Sequence, residues 1–138
     1  MNDIVFTLEK TFTAREVQEL FLSVNWISGK YPQRLYKALM GSSTVVTARH
    51  GDLLVGLARA VDDGELLAYI HYVLVRPEYH GQGIASKMIE LLKKKYENYL
   101  YIEVMPEDSK NIGFYQKSGF SLMNDGAAMQ LCNFSDER

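Results

Sequence analysis

The stretch from Leu66 to Ala85 restricts the fold more than any other part of this chain. It reads LLAYIHYVLV, then Arg76-Pro77, then Gly81-Gln82-Gly83 and the start of a helical repeat. The apolar run, rich in β-branched and aromatic residues, predicts a strand in the middle of a sheet over Leu66–Val75. Pro77 stops it, because proline has no amide hydrogen to give the ladder. Downstream, Ile84, Met88, Ile89, Leu91 and Leu92 recur at helical spacing and predict a helix ending near Asn98. A helix N-terminus leaves its first amide hydrogens without partners and carries partial positive charge. Gly81 and Gly83 allow positive φ and close backbone approach. Strand, paired glycines and helix start together make a cradle for a phosphate or diphosphate. Two glycines taken alone more often mark an ordinary strand-to-helix turn. The segment is not a Walker loop, since no Lys-Ser/Thr follows the second glycine. Nor is it a dinucleotide fingerprint, since the third glycine is missing and the preceding strands read as an antiparallel meander.

The remaining elements arrange themselves around this one. Asp3–Glu9 alternates weakly and predicts an edge strand. Thr13 and Glu16 form a capping box ahead of Val17, Leu20, Phe21 and Val24, predicting a helix that Gly29 ends. Tyr31-Pro32 opens a second helix through Met40, closed by Gly41. Thr44–Arg49 and Leu53–Val61 predict a hairpin across His50-Gly51-Asp52, with a further turn at Asp62-Asp63-Gly64. Lys93, Lys94 and Lys95 read as a solvated helix end, where cations suit the dipole. Leu100–Val104 is a short strand and Lys110–Ser118 a helix with Gly119 as its cap. Phe120–Met123 and Ala127–Cys132 predict a closing hairpin. The expected architecture is an α/β mixture built on one largely antiparallel sheet flanked by helices, a single domain over residues 1–138.

Composition excludes several classes. With 15 basic and 17 acidic residues the chain lacks the positive field that collects nucleic acid. An anionic ligand must be held by a local site. One cysteine, Cys132, forms no internal disulfide and reads as a buried, inert thiol in the last strand. With no signal-peptide pattern in MNDIVFTLEK and no apolar run of about 20 residues, the expectation is a cytoplasmic protein that does not span a membrane. The three histidines show no ligand spacing, so no metal is expected.

Two motifs point to a family. Val75-Arg76-Pro77 through Gly81-Gln82-Gly83-Ile84-Ala85 resembles motif A of the GCN5-related N-acetyltransferases (GNAT), with His80 standing where the family carries Arg or Gln. Asn111-Ile112-Gly113-Phe114-Tyr115-Gln116-Lys117-Ser118-Gly119-Phe120 resembles motif B. The resemblance implies the GNAT fold and an acetyltransferase that uses acetyl-coenzyme A, without a metal, to acetylate a primary amine by direct attack in a ternary complex. The main chain of Val73, Leu74 and Val75 would pair with the pantetheine arm. Amides of Gly81, Gln82, Gly83, Ile84, Ala85 and Ser86 would hold the diphosphate, with His80 donating a hydrogen bond. Asn111 would touch the cofactor, and Tyr115 would protonate the departing thiolate.

The base is less defined by the resemblance. Relatives often place an acid near the end of the fourth strand, where this chain has Tyr72 beside His71. His71 is the candidate base, with Glu103 on the fifth strand as the carboxylate alternative. Trp26, Tyr31 and Tyr72 would face the acceptor, with Tyr36 nearby, although core packing explains the aromatic helices equally well. His50 reads as an exposed turn residue. A small-molecule amine is the expected acceptor; a protein or peptide amine, or a non-catalytic acetyl-coenzyme A sensor, are the alternatives. A homodimer is left open.

Overall fold

The computed structural model describes residues 3–133, and the chain separates into two compact units, Met1–Val104 and Met105–Arg138. The first unit holds strand β1 (Ile4–Thr7), helices α1 (Ala14–Ser23) and α2 (Pro32–Met40), and strands β2 (Thr44–His50), β3 (Leu53–Asp62) and β4 (Leu67–Val75). Helix α3 (Ile84–Lys95) and strand β5 (Tyr101–Val104) complete it. The five strands form one sheet in chain order. Pairings from β1 to β4 are antiparallel, whereas β5 lies parallel to β4 because α3 carries the chain back across the sheet.

One layer of the core joins α1 and α2 to the sheet. Phe12, Val17, Leu20, Phe21, Leu35 and Leu39 pack with Val45, Leu54, Leu57 and Leu74. The capping box forms as expected: the Thr13 side chain accepts from the Glu16 amide, and Glu16 Oε1 accepts from the Thr13 amide at 2.9 Å. Glu16 also accepts two hydrogen bonds from Arg49 on β2, at 2.7 and 2.9 Å, tying the helix start to the sheet. Helix α3 packs on β3 near Gly56, where an added Cβ would come within 3.3 Å of Ile84 and 3.4 Å of Met88.

Helix α1 is shorter than its periodicity suggests. It stops at Ser23, Asn25 turns to φ +61°, and a 3-10 turn (Ile27–Lys30) precedes α2. Asparagine tolerates the left-handed region, so it ends the helix before Gly29 can.

The second unit contains a 3-10 turn (Ser109–Asn111) running into helix α4 (Ile112–Lys117). Gly119, at φ +100°, closes the helix as a Schellman motif: its amide bonds the Gln116 carbonyl, and the Phe120 amide bonds the Tyr115 carbonyl. The predicted hairpin across Asn124-Asp125-Gly126 is not formed. A turn is present, with the Gly126 amide 3.2 Å from the Met123 carbonyl, but the described residues from Phe120 to Asn133 contain no strand. Met123, Met129 and Leu131 stay 68%, 93% and 81% exposed, so neither arm has a layer to bury its apolar side chains. Two short strands without such a layer are marginal in water. Cys132 is accordingly exposed rather than buried in a strand.

Candidate active site

The parallel strand β5 reaches along only the first half of β4, pairing Leu67–Ile70 with Tyr101–Val104. From His71 to Val75, β4 has β3 on one side and no strand on the other among the described residues. A row of main-chain groups on this free edge can pair with an extended ligand, as an added strand would. Just past it the chain makes a short 3-10 turn (Pro77–Tyr79) and enters the glycine pair. Gly81 and Gly83 take φ +81° and +79°, a region costly for residues with a Cβ. Gly83 is the N-cap of α3 and no side chain caps that helix, which leaves its first amides facing out. A Cβ at either glycine would meet no atom within 4 Å, so backbone conformation rather than crowding demands glycine, and the space in front is open.

His80 behaves differently from its sequence expectation. Its Nε2 lies 2.7 Å from the Val75 carbonyl, which can only accept, so the ring proton sits on Nε2. With Nε2 donating there, that nitrogen is not available to a phosphate. What His80 does is tie the turn to the end of β4.

A second cluster arises from a bulge in β4. Register runs Ala58↔Val73 and then Arg59↔His71, so Tyr72 is the extra residue, held at φ +67°. The bulge brings consecutive side chains together, with the His71 and Tyr72 rings 4.3 Å apart. Tyr72 packs edge-on against Phe21 at 4.8 Å and lies 5.9 Å from Trp26. Its hydroxyl is 2.6 Å from Ser28 Oγ. The Arg59 guanidinium stands over the Tyr72 ring at 4.7 Å. It donates to His71 Nδ1 at 2.8 Å and to Ser42 Oγ at 3.1 Å. Thus Trp26 and Tyr72 come together with His71. Tyr36 instead packs edge-on against Phe12, and Tyr31 is partly exposed on the turn before α2.

This geometry removes His71 as a general base. Arginine can only donate, so His71 Nδ1 accepts and the proton sits on Nε2, leaving no lone pair free. Burial, and then the Arg59 charge, also hold its pKa down at about 4. The same shift has a thermodynamic consequence. Between pH 6.5 and about 4 the unfolded chain protonates His71 and the folded one does not, so stability falls as pH drops through that window. Glu16, held ionised at a pKa of about 2 chiefly by the Arg49 hydrogen bond, extends the loss from pH 4.5 downwards. Urea unfolding should show a loss of about 2 kcal/mol between pH 7 and pH 4, after allowance for partial solvent screening. His71→Gln should flatten that limb and leave the lower one.

In the second unit Tyr115 is buried, its ring edge-on to Phe114 at 4.9 Å and to Phe120 at 5.8 Å. Burial, and then the Glu107 charge, push its hydroxyl up to about 12. It stays protonated throughout the physiological range. Asn111 is exposed at the start of α4, with no capping hydrogen bond from its side chain.

Residues 10–120 match the Acetyltransferase (GNAT) family, a span that crosses both units. The chain belongs to that family. Among its GNAT relatives, the N-acetyltransferase ycf52 of Pyropia yezoensis is 28% identical over 131 residues, covering 91% of this chain and 74% of the relative. A ycf52-like N-acetyltransferase of Prochlorococcus marinus is 30% identical, covering 88% and 70%. The solved structure of a GNAT-family acetyltransferase from Streptococcus pneumoniae superposes with a TM-score of 0.82 at 27% identity, covering 96% of this chain and all of that one. The GNAT fold of a five-stranded mixed sheet flanked by helices, and N-acetyltransferase activity of the GNAT type, follow from these matches.

The residues of this GNAT protein fit the acetyl-coenzyme A that the family uses. Left-handed glycines before an uncapped helix suit a diphosphate, and the free edge of β4 suits a pantetheine amide chain. Among the described residues no group of three or more His, Cys, Asp or Glu side chains is placed to hold a metal. No helix among them is long and apolar enough to cross a membrane. His50, at the end of β2, is exposed and bonds the Tyr79 hydroxyl at 2.7 Å. The residue at this face that sequence reasoning passed over in this GNAT chain is Arg59. Its signal was a lone charge between Ala58 and Ala60 in an otherwise apolar strand.

Proposed function

We propose that this chain transfers the acetyl group of acetyl-coenzyme A to the primary amine of a small molecule, by direct attack in a ternary complex, with both units serving one catalytic domain. The observation that carries the reading is the left-handed Gly81/Gly83 pair, set between the unpaired half of β4 and the uncapped start of α3. Bound acetyl-coenzyme A supplies an activated thioester. The main chain of Val73 to Val75 orients its arm, the amides from Gly81 to Ser86 hold its diphosphate, and Asn111 adds a contact from α4.

The acceptor nitrogen forms its bond to the carbonyl carbon as the carbon–sulfur bond breaks, and Tyr115 holds its proton toward the leaving sulfur. At a hydroxyl pKa of about 12 against a thiol near 8.5, complete transfer is uphill by about 5 kcal/mol. The strength of Tyr115 is therefore a short hydrogen bond to developing negative charge, completed as the thiol leaves. The acceptor must arrive uncharged, and freeing an alkylamine of pKa near 10 at pH 7 costs about 4 kcal/mol. With His71 occupied by Arg59, that proton passes to water or to Glu103, the register partner of Tyr69, whose ring stacks on His71 at 6.2 Å. A cytoplasmic setting belongs to the same proposal.

A thiol-release assay with acetyl-coenzyme A against a panel of small amines and amine-bearing peptides tests it. Turnover on a small amine, with initial-rate lines that intersect, supports the reading. Parallel lines would exclude the ternary complex, and turnover confined to peptides would exclude the small acceptor.

A further inference from the structure

Arg59 is a half-buried cation to which the described residues offer no anion. Its Nε is fully buried and has no hydrogen-bond partner, and no carboxylate among the described residues pairs with the guanidinium. The Tyr72 ring offsets part of that cost, as cation–π contacts do, but leaves the charge unneutralised. Its neighbours offer neutral acceptors, His71 Nδ1 and Ser42 Oγ, and spare donors, but no negative charge. Because His71 Nδ1 accepts from Arg59, His71 presents an Nε2–H that has no partner among the described residues. Ser28 and Tyr72 share one hydrogen bond between two hydroxyls, which leaves one hydroxyl proton over. Asp62 is engaged by Tyr96 and Tyr99, and Glu103 makes no ion pair with Arg59. A half-buried positive charge beside spare donors is costly unless something negative fills the space between them.

We propose that Arg59, His71 and the Ser28/Tyr72 hydroxyl pair bind an acidic group, carboxylate or phosphate, carried by the acceptor, so that this acetyltransferase acts on amines that are also acids. The inference rests on the acetyl-transfer reading for the word acceptor, but the anion site itself does not. Trp26 forms the aromatic wall beside it, and a planar guanidinium is suited to bidentate recognition of either acid.

The chain's single tryptophan, Trp26, lies 5.9 Å from the Tyr72 ring and reports on the site without any turnover. Titration of the full chain with inorganic phosphate and, separately, acetate at constant ionic strength should give saturable fluorescence changes, the stronger of the two identifying the acid. Arg59→Gln should weaken that response about tenfold or more, while Arg59→Lys, which keeps the charge, should retain part of it. Removing a cation that no carboxylate pairs leaves no orphaned anion, so the Gln variant should remain folded, which its far-UV circular dichroism checks. Identical responses in parent and Arg59→Gln, or none to either anion, would overturn the site.

Two matched pairs then address the substrate: phosphoethanolamine against ethanolamine, and β-alanine against propylamine. The acid-bearing member should have the higher kcat/KM, by about tenfold to a hundredfold, and Arg59→Gln should erase the preference. A preference for the uncharged amines, or an Arg59→Gln variant that loses acetyl-coenzyme A affinity instead, would overturn the assignment to the acceptor. If no amine is acetylated, the fluorescence result still decides whether the anion site exists, and the failure falls on the acetyl-transfer reading alone.

Discussion

Gly83→Asp should weaken acetyl-coenzyme A binding by about a hundredfold or more while the protein remains folded. The change acts twice at one place. A carboxylate at the N-cap of α3 neutralises the partial positive charge that favours an anion there, worth up to about 2 kcal/mol. Its side chain also enters the open space in front of the glycines and can take up the first-turn amides, each worth about 1.5–3 kcal/mol to a charged ligand. Fold damage is limited because aspartate is a favoured N-cap and tolerates φ near +79° better than most residues. Calorimetry on the folded variant checks it. Parent-like affinity would mean that the diphosphate does not rest on this helix start.

Tyr115→Phe should lower kcat by about a hundredfold, at the low end of the usual range for a proton donor. Acetyl-coenzyme A affinity should stay within about threefold, since the hydroxyl is assigned to the leaving sulfur and not to ground-state binding. The ring is buried among Phe114 and Phe120, so phenylalanine preserves its packing. Because the hydroxyl titrates only near 12, the parent kcat should show no basic limb from this group below pH 10. Single-turnover thiol release separates this step from product release, and a parent-like rate in the variant removes the proton-donor role.

Both predictions come from motifs visible in the chain, and the helical and strand periodicities ahead of them were equally legible. The capping box at Thr13 and Glu16, Pro32 at the start of α2, Gly41 after its end and Gly119 after α4 each act through neighbours a few residues away. Local chemistry of that kind is written in sequence. The closing hairpin failed for a nonlocal reason: its alternation is real, but an arm becomes a strand only where a ladder and a covering layer exist, and the described residues supply neither.

By itself, then, the sequence determined the elements, the glycine cradle and the membership in an acetyltransferase family, because turn chemistry, caps and a helix N-terminus are short-range properties. Only the tertiary structure decided the contacts of His71, His80 and Arg59. Tyr72 has nothing in its composition that announces a bulge, and it is the bulge that sets His71 against Arg59 from the neighbouring strand. Once that contact forms, hydrogen-bond valence follows: His71 Nδ1 is taken by Arg59, His80 is tied to Val75, and Arg59 Nε is left without a hydrogen-bond partner. Register across strands is a long-range outcome, and the chemistry of this face follows from it.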